Sequence, residues 1–109
     1  MKTFKDLKVT DALYIICYDR CCYVCRVVGM KEIGIGITRI YYDYANKCTE
    51  NNTVRYFDVN MKMCDEDTSI ELPCYCSFVI YLNRDDILKE LDERIENLKK
   101  QKRKIIKAL

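Results

Sequence analysis

The spacing of apolar residues changes at Asn83, and this change divides the chain into two parts. Before Asn83 apolar residues alternate with a period of two, which is typical of β-strands; after it they recur every three or four residues, which is typical of an amphipathic helix. No Pro-, Ser- or Gly-rich linker separates the two parts. The chain of 109 residues is therefore expected to be one domain, with a small β-barrel over residues 1–83 and a C-terminal helix over residues 84–109.

The first part contains five stretches with the pattern of strands. They cover residues 12–18, 21–30, 33–44, 53–59 and 74–82. The first stretch is apolar on both faces, since Leu13 and Ile15 alternate with Tyr14 and Ile16. Residues 61–69 are the main loop. The predicted class is mainly β with one long C-terminal helix (α+β), built as a small five-stranded barrel plus the helix.

Two local patterns set the expected geometry of the barrel. The polar break at residues 19–20 predicts a hairpin whose two-residue loop would place Cys17 opposite Cys22. The sequence IGIGI at 33–37 predicts the start of the third strand, with its isoleucines pointing inward and its glycines outward.

The helix carries the most specific pattern in the chain. Asn83 is expected to be its N-cap, with Asp86 at the third helical position of a capping box. About 25 residues at 1.5 Å per residue make a helix roughly 37 Å long, which exceeds the width of a small barrel. Part of it should project or bind a partner. Its a/d positions, as in a coiled coil, are Leu88, Leu91, Ile95, Leu98, Lys102, Ile105 and Leu109.

The charges of the helix are segregated along its length. Residues 84–96 carry three basic and six acidic side chains, whereas residues 97–109 carry six basic and no acidic ones. Because the whole chain carries +2 and the helix +3, residues 1–83 carry −1. Two helices aligned antiparallel would set each acidic half against the other copy's basic half. The pattern therefore predicts an antiparallel homodimer.

Several classes of function are disfavoured by composition. The chain has no His, which removes the usual residue of acid-base catalysis and of metal ligation. No apolar run approaches the roughly 20 residues of a membrane span, and the first residues, MKTFKDLKVT, lack the apolar core of a secretory signal. A cytoplasmic protein without enzymatic activity, cofactor or membrane partner is expected.

Eight Cys is a high number for this length. Without an export signal, and with only three Gly and one Pro, the thiols are predicted to be reduced and structural. The alternative is a four-thiolate zinc site drawn from Cys17, Cys21, Cys22, Cys25, Cys74 and Cys76. A reactive thiol at residues 21–22 would have neighbouring arginines to lower its pKa but no general base.

Tyrosines and arginines are interleaved along the barrel, and both residue types dominate protein interfaces as well as base-stacking surfaces. The predicted protein interface comprises Leu88, Leu91, Ile95, Leu98, Ile105, Tyr41, Tyr42, Tyr44 and Arg39. The alternative is a nucleic-acid interface, comprising Arg20, Arg26, Arg55, Lys99, Lys100, Lys102, Arg103 and Lys104. A nearly neutral barrel favours protein over nucleic acid as the partner.

Two segments carry a resemblance to known proteins. FKDLKVTDALYI at 4–15 resembles the entry of Src-homology-3-like small barrels, with Thr10 in place of the Gly of their usual Gly-Asp turn. FVIYLNRDDIL at 78–88 is similar to the strand-to-helix exit of small uncharacterised proteins of bacteriophages and mobile elements. The resemblance implies a Src-homology-3-like barrel and a phage or mobile-element source. It also implies a protein-binding inhibitor of a host defence protein; the alternative function is a nucleic-acid-binding accessory protein.

Overall fold

The computed structural model describes residues 1–17, 22–45, 54–73 and 78–108. Its elements are a short 3₁₀ helix at Phe4–Asp6, then β1 Ala12–Cys17, β2 Cys22–Gly34, β3 Ile37–Tyr44, β4 Arg55–Asn60, α1 Met61–Cys64, β5 Ser69–Leu72, β6 Phe78–Tyr81 and α2 Arg84–Lys107. The class is mainly β with one long C-terminal helix, as predicted. No helix in the described part of the chain is long and apolar enough to cross a membrane.

The six strands form one antiparallel sheet in the order β4-β3-β2-β1-β6-β5. The sheet curls into a half-barrel. The expected count of five strands is wrong because β5 was not predicted. Four residues next to an acidic loop carry little periodicity, and β5 is recognisable as a strand only from its pairing with β6, in which Ile70 lies opposite Ile80.

The core lies on the concave face of the sheet. Phe4 and Leu7, which precede β1, pack into it, and the backbone N–H groups of Phe4 and Lys5 donate to the carbonyls of Asp67 and Asp65 at 3.1 and 2.9 Å. The buried cluster contains Phe4, Leu7, Leu13, Ile15, Cys25, Val27, Ile40, Tyr42, Phe57, Val59, Ile80 and Leu82. The N-terminal segment thus helps to close the half-barrel.

The register of the first hairpin differs from the expected one. Ile16, not Cys17, lies opposite Cys22. The observed register pairs Leu13 with Cys25, both fully buried, whereas the expected one would have set Leu13 against Arg26 in the core. Since a slip of one residue exchanges the two faces of a strand, burial of the apolar face selects the observed pairing.

The IGIGI segment is a turn and not the start of a strand. β2 continues to Gly34, residues 35–36 form a two-residue turn, and β3 begins at Ile37. Gly36 has φ +76°, the left-handed region that favours glycine. Ile35 is 86% exposed at the tip of this turn, so the expected inward orientation of the isoleucines is wrong.

The helix α2 begins at Arg84 as predicted, but the expected capping box is absent, because the Asn83 side chain makes no cap hydrogen bond. The first turns of α2 contact β1 and β6. Ile87 is buried there, and so is Ile16, which faces away from the concave core. The rest of α2 extends away from the sheet, and the molecule is 58 Å long against 36 and 26 Å in its other dimensions.

Candidate protein-binding surface

Five large apolar side chains of α2 are exposed. We call them the apolar stripe: Leu88 (43% exposed), Ile95 (50%), Leu98 (64%), Ile105 (67%) and Ile106 (62%). Leu91, which the a/d pattern also includes, is partly buried. The structure therefore places the five predicted helical interface residues on one element and leaves four of them, all but Leu91, exposed to solvent.

The stripe is exposed because the sheet covers only the first turns of α2. Ile87 is buried and Arg94 is half-buried, whereas every described residue from Ile95 to Ala108 is exposed. Apolar surface in water is unfavourable by about 25 cal/mol per Å² relative to a buried state. A continuous exposed apolar patch on a small protein marks an interaction surface.

The basic half of α2 flanks the stripe. Lys99, Lys100, Lys102, Arg103 and Lys104 are all exposed. Glu96 accepts from Lys99 Nζ at 3.5 Å, and Glu90 accepts from Arg94 Nε at 3.1 Å in the acidic half. Basic residues near a helix C-terminus also interact favourably with the helix dipole. The acidic and basic halves seen in the sequence therefore lie on one helix, α2, which projects from the sheet.

An arginine-tyrosine cluster lies on the outer face of β3 and β4. Arg39 forms a two-point ion pair with Asp58, with N–O distances of 2.8 and 3.1 Å, and its guanidinium lies 4.1 Å from the centroid of the Tyr56 ring. Tyr41 packs beside Tyr56, with ring centroids 6.0 Å apart. The hydrogen bonds to Arg39 lower the pKa of Asp58. Arg39 is thus engaged within the sheet.

The three tyrosines predicted to lie at the interface do not share a surface. Tyr41 lies on the outer face, Tyr42 is buried in the core against Phe57, and Tyr44 is 37% exposed and lines a pocket on the concave side. Neighbouring residues of a strand point to opposite faces, which separates Tyr41 from Tyr42. Of this group, Tyr41 joins Arg39 on the outer surface.

The pocket lies at one end of the half-barrel, has a volume of about 260 Å³, and was not foreseen from the sequence. It is lined by Ile15, Cys17, Tyr23, Cys25, Tyr42, Tyr44, Arg55 and Phe78. Arg55 donates to the Tyr44 hydroxyl, and Tyr23 packs against Tyr44 with ring centroids 5.4 Å apart. Burial raises the pKa of the Cys25 thiol to about 11. The pocket depends on the β3–β4 register, which sets Tyr42 opposite Arg55. No local sequence pattern fixes this register.

The residues of the nucleic-acid alternative are dispersed. Arg26 lies on the outer face and donates to the Thr10 carbonyl at 3.1 Å, whereas Arg55 lines the concave pocket. Arg20 lies outside the described residues. The lysines and Arg103 lie on α2, as given above. The structure does not bring Arg26, Arg55 and the helix together on one face.

Four of the cysteines are described: Cys17, Cys22, Cys25 and Cys64. Of these, Cys22, Cys25 and Cys64 carry free thiols. Within the described ranges no three Cys, Asp or Glu side chains converge in a group that could hold a metal ion. Cys21, Cys74 and Cys76, which the zinc alternative needs, fall outside those ranges, as does Cys48.

Comparison with known proteins adds no relative. No protein-family model matches the chain, and neither a curated protein nor a solved structure matches it. The exposed residues of α2 and of the sheet are therefore the features from which a function can be inferred. A fold alone does not determine a function, whereas a site can be argued from its chemistry.

Proposed function

We propose that this chain is a non-enzymatic protein-binding module and that it binds a helical partner through the apolar stripe of α2. The observation that carries the proposal is the exposure of Ile95, Leu98 and Ile105 on a segment that the sheet does not cover. Amphipathic helices bury such a face against a neighbour, and helix-to-helix or helix-in-groove contact is a common mode of protein recognition. Ion pairs on an exposed helix contribute little each, so the stripe supplies most of the binding energy.

A non-enzymatic role is supported by the chemistry of the pocket. The chain has no His. The Cys25 thiol in the pocket has a pKa near 11, so it is protonated at neutral pH and a poor nucleophile. Arg55, the cation that lines the pocket, is hydrogen-bonded to Tyr44.

Nucleic-acid binding is the second candidate, and one observation favours it: the exposed basic residues between Lys99 and Lys104. Phosphate contacts by such a segment would be lost steeply as salt concentration rises. Protein binding is preferred because Arg26 and Arg55 lie on different faces of the sheet and so do not extend the basic segment of α2 into one phosphate-binding surface.

The finer parts of the proposal rest on the sequence resemblance. They are the Src-homology-3-like character of the half-barrel, a phage or mobile-element source, a place in the host cytoplasm, and action as an inhibitor of a host defence protein. Each is compatible with a binding helix that projects from a small body. None of them is needed for the test below.

The test is site-specific photo-crosslinking in the native host cell. A benzophenone amino acid placed at Leu98, on the stripe, should give a discrete protein adduct that Ile95→Asp abolishes. The matched control places it at Lys100, which is also exposed but lies on the opposite face of α2, and should give none. Equal adducts from both positions, no adduct from a folded protein, or an adduct destroyed by nuclease would overturn the proposal, and the last outcome would favour the nucleic-acid candidate.

A further inference from the structure

We infer that the apolar stripe pairs with the stripe of a second copy of this chain, aligned antiparallel, with Ile95 of each copy packed against Leu98 of the other. This inference rests on the proposed function and names the partner of that same surface. Three independent features carry it: the position of the sheet on α2, the heptad pattern, and the distribution of charge.

The position of the sheet favours the antiparallel arrangement on steric grounds. The sheet packs against the first turns of α2 beside Ile87 and leaves Leu88 accessible. In a parallel pair both sheets would lie at the same end and compete for space around the same turns. In an antiparallel pair they lie at opposite ends of a helix of 24 residues, which is about 36 Å long.

The heptad pattern sets the alignment. The a positions are Leu88, Ile95 and Lys102, and the d positions are Leu91, Leu98 and Ile105. In an antiparallel coiled coil the a residues of one helix pack in layers with the d residues of the other. Placing Ile95 opposite the partner's Leu98 also places Leu88 opposite the partner's Ile105. Both of these layers are wholly apolar.

The same alignment places the polar residue of the seam, Lys102, opposite the partner's Leu91. Leu91 is already partly buried within its own chain, so this layer has the least apolar surface to gain from pairing. Lys102 also lies away from the centre of the antiparallel pair. In a parallel pair the two Lys102 side chains would face each other as like charges.

Charge on the flanks of the seam selects the same orientation. In the antiparallel alignment Asp92 lies beside the partner's Lys99, and symmetry repeats this pair. In a parallel coiled coil Lys99 would instead lie beside the partner's Arg94, a repulsive contact. In the antiparallel alignment the acidic half of each helix, net −3, faces the basic half of the other, net +6, along the full length of the pair. Exposed pairs add little affinity, but their repulsive alternatives disfavour the wrong orientation.

The first test is sedimentation of the purified full chain. We expect a dimer at tens of micromolar, which Ile95→Asp converts to a monomer by weakening association at least 100-fold. Asn97→Asp introduces the same charge at an exposed position outside the seam and should leave the dimer intact. Leu98→Asp provides a second seam variant, and circular dichroism checks that each variant is folded. A wild-type monomer at 100 µM, or a dimer that persists in both folded seam variants, would overturn the inference.

The second test determines whether the two α2 helices of the dimer are antiparallel or parallel. In the antiparallel pair, Lys99→Asp places a second carboxylate beside the partner's Asp92 and should weaken the dimer about tenfold. In a parallel pair the new carboxylate would lie beside the partner's Arg94 and would strengthen the dimer. The double variant D92K/K99D restores the antiparallel pairing and should recover affinity. The Lys99–Glu96 pair that is lost with Lys99 is exposed to solvent, so its own contribution is small. A strengthened Lys99→Asp dimer would overturn the antiparallel assignment.

The outcomes separate this inference from the function on which it rests. A monomeric chain that still gives the Leu98-specific protein adduct in cells would overturn self-association and leave protein binding standing. A monomeric chain that gives no such adduct would overturn both.

Discussion

The side-chain amide of Asn83 pairs with both backbone groups of Lys2. Asn83 Oδ1 accepts from the Lys2 N–H at 3.0 Å, and Asn83 Nδ2 donates to the Lys2 carbonyl at 2.8 Å. This contact joins the N-terminal segment, which packs Phe4 into the core, to the residue that precedes α2. Asn83 occupies the N-cap position, yet its side chain is committed to Lys2 and not to the helix.

Asn83→Asp should therefore destabilise the protein. An aspartate is as good an N-cap as an asparagine, so a capping role predicts no loss. In the observed contact the substitution replaces the donor Nδ2 with a carboxylate oxygen facing the Lys2 carbonyl. Loss of this partly buried hydrogen bond should lower the free energy of unfolding by about 1–2 kcal/mol, measured by urea denaturation.

Asn60 supplies the control for this prediction. Its Oδ1 accepts from the Lys62 N–H at 3.1 Å, so Asn60 caps α1 through its side-chain oxygen. Aspartate keeps this oxygen and can make the same hydrogen bond. Asn60→Asp should change stability by less than about 0.5 kcal/mol. Equal effects of the two substitutions would mean that the Asn83–Lys2 contact contributes nothing of its own.

Thr10→Gly should stabilise the protein. Thr10 has φ +82° and is the one non-glycine residue of the described chain with a positive φ. This conformation costs an L-residue about 1–2 kcal/mol, whereas glycine adopts it freely at an entropic cost of about 0.5–1 kcal/mol. The backbone N–H of Thr10 donates to Val27 at 2.8 Å, a bond that glycine keeps.

The expected gain for Thr10→Gly is about 0.5–1 kcal/mol, seen as a higher thermal midpoint. Val9, the preceding residue, is also β-branched and 49% exposed but has no positive φ, so Val9→Gly should destabilise. A loss of stability in Thr10→Gly would show that its side chain contributes more than the strain it carries. The backbone of Thr10 has the conformation that glycine favours.

Gly36→Ala should destabilise the β2–β3 hairpin. Gly36 has φ +76°, and an added Cβ would lie 2.8 Å from Lys62 Cγ. The Lys62 side chain is flexible and can move, so most of the cost comes from the backbone, about 1–2 kcal/mol. Gly34→Ala is the control, because Gly34 has no positive φ and the nearest atom to its added Cβ is Ile37 Cδ1 at 3.9 Å. Chemical denaturation should show a loss for Gly36→Ala and a change within about 0.5 kcal/mol for Gly34→Ala.

The parts of the fold that were predicted correctly are those with long, regular periodicity. The start of α2 at Arg84 follows from a helical pattern of more than twenty residues, and β1 follows from alternation on two buried faces. The IGIGI segment shows where periodicity fails. Alternating Ile and Gly satisfy the strand pattern, but the positive φ of Gly36 is a backbone property that this pattern does not report.

One part of the candidate surface was likewise predictable from the sequence and another part was not. The residues of the apolar stripe other than Ile106 were predicted because they lie on one helix, so their spacing alone places them on one face. The tyrosines and arginines lie on different strands, and their neighbours depend on registers that no local pattern fixes. Arg55 lines the concave pocket because the register of β3 and β4 places it opposite Tyr42. The length of the connection between the two strands does not set that register.

The stability of the protein at alkaline pH should depend on Cys25. Burial raises the pKa of Cys25 from its ordinary 9.0 to about 11. Below pH 9 the folded and unfolded chains both hold the proton. Between pH 9 and 11 the unfolded chain loses it first, so the free energy of unfolding falls by about 1–3 kcal/mol.

Cys25→Ala tests this assignment. The variant should be less stable than the wild type at pH 7, because a fully buried side chain loses packing contacts, but its stability should fall less steeply between pH 9 and 10. Burial also raises the pKa of Tyr42 and of Tyr81, so some decline should remain in the variant above pH 10. Urea denaturation at a series of pH values gives both curves. Parallel curves for wild type and variant across this window would place the alkaline transition on groups other than Cys25.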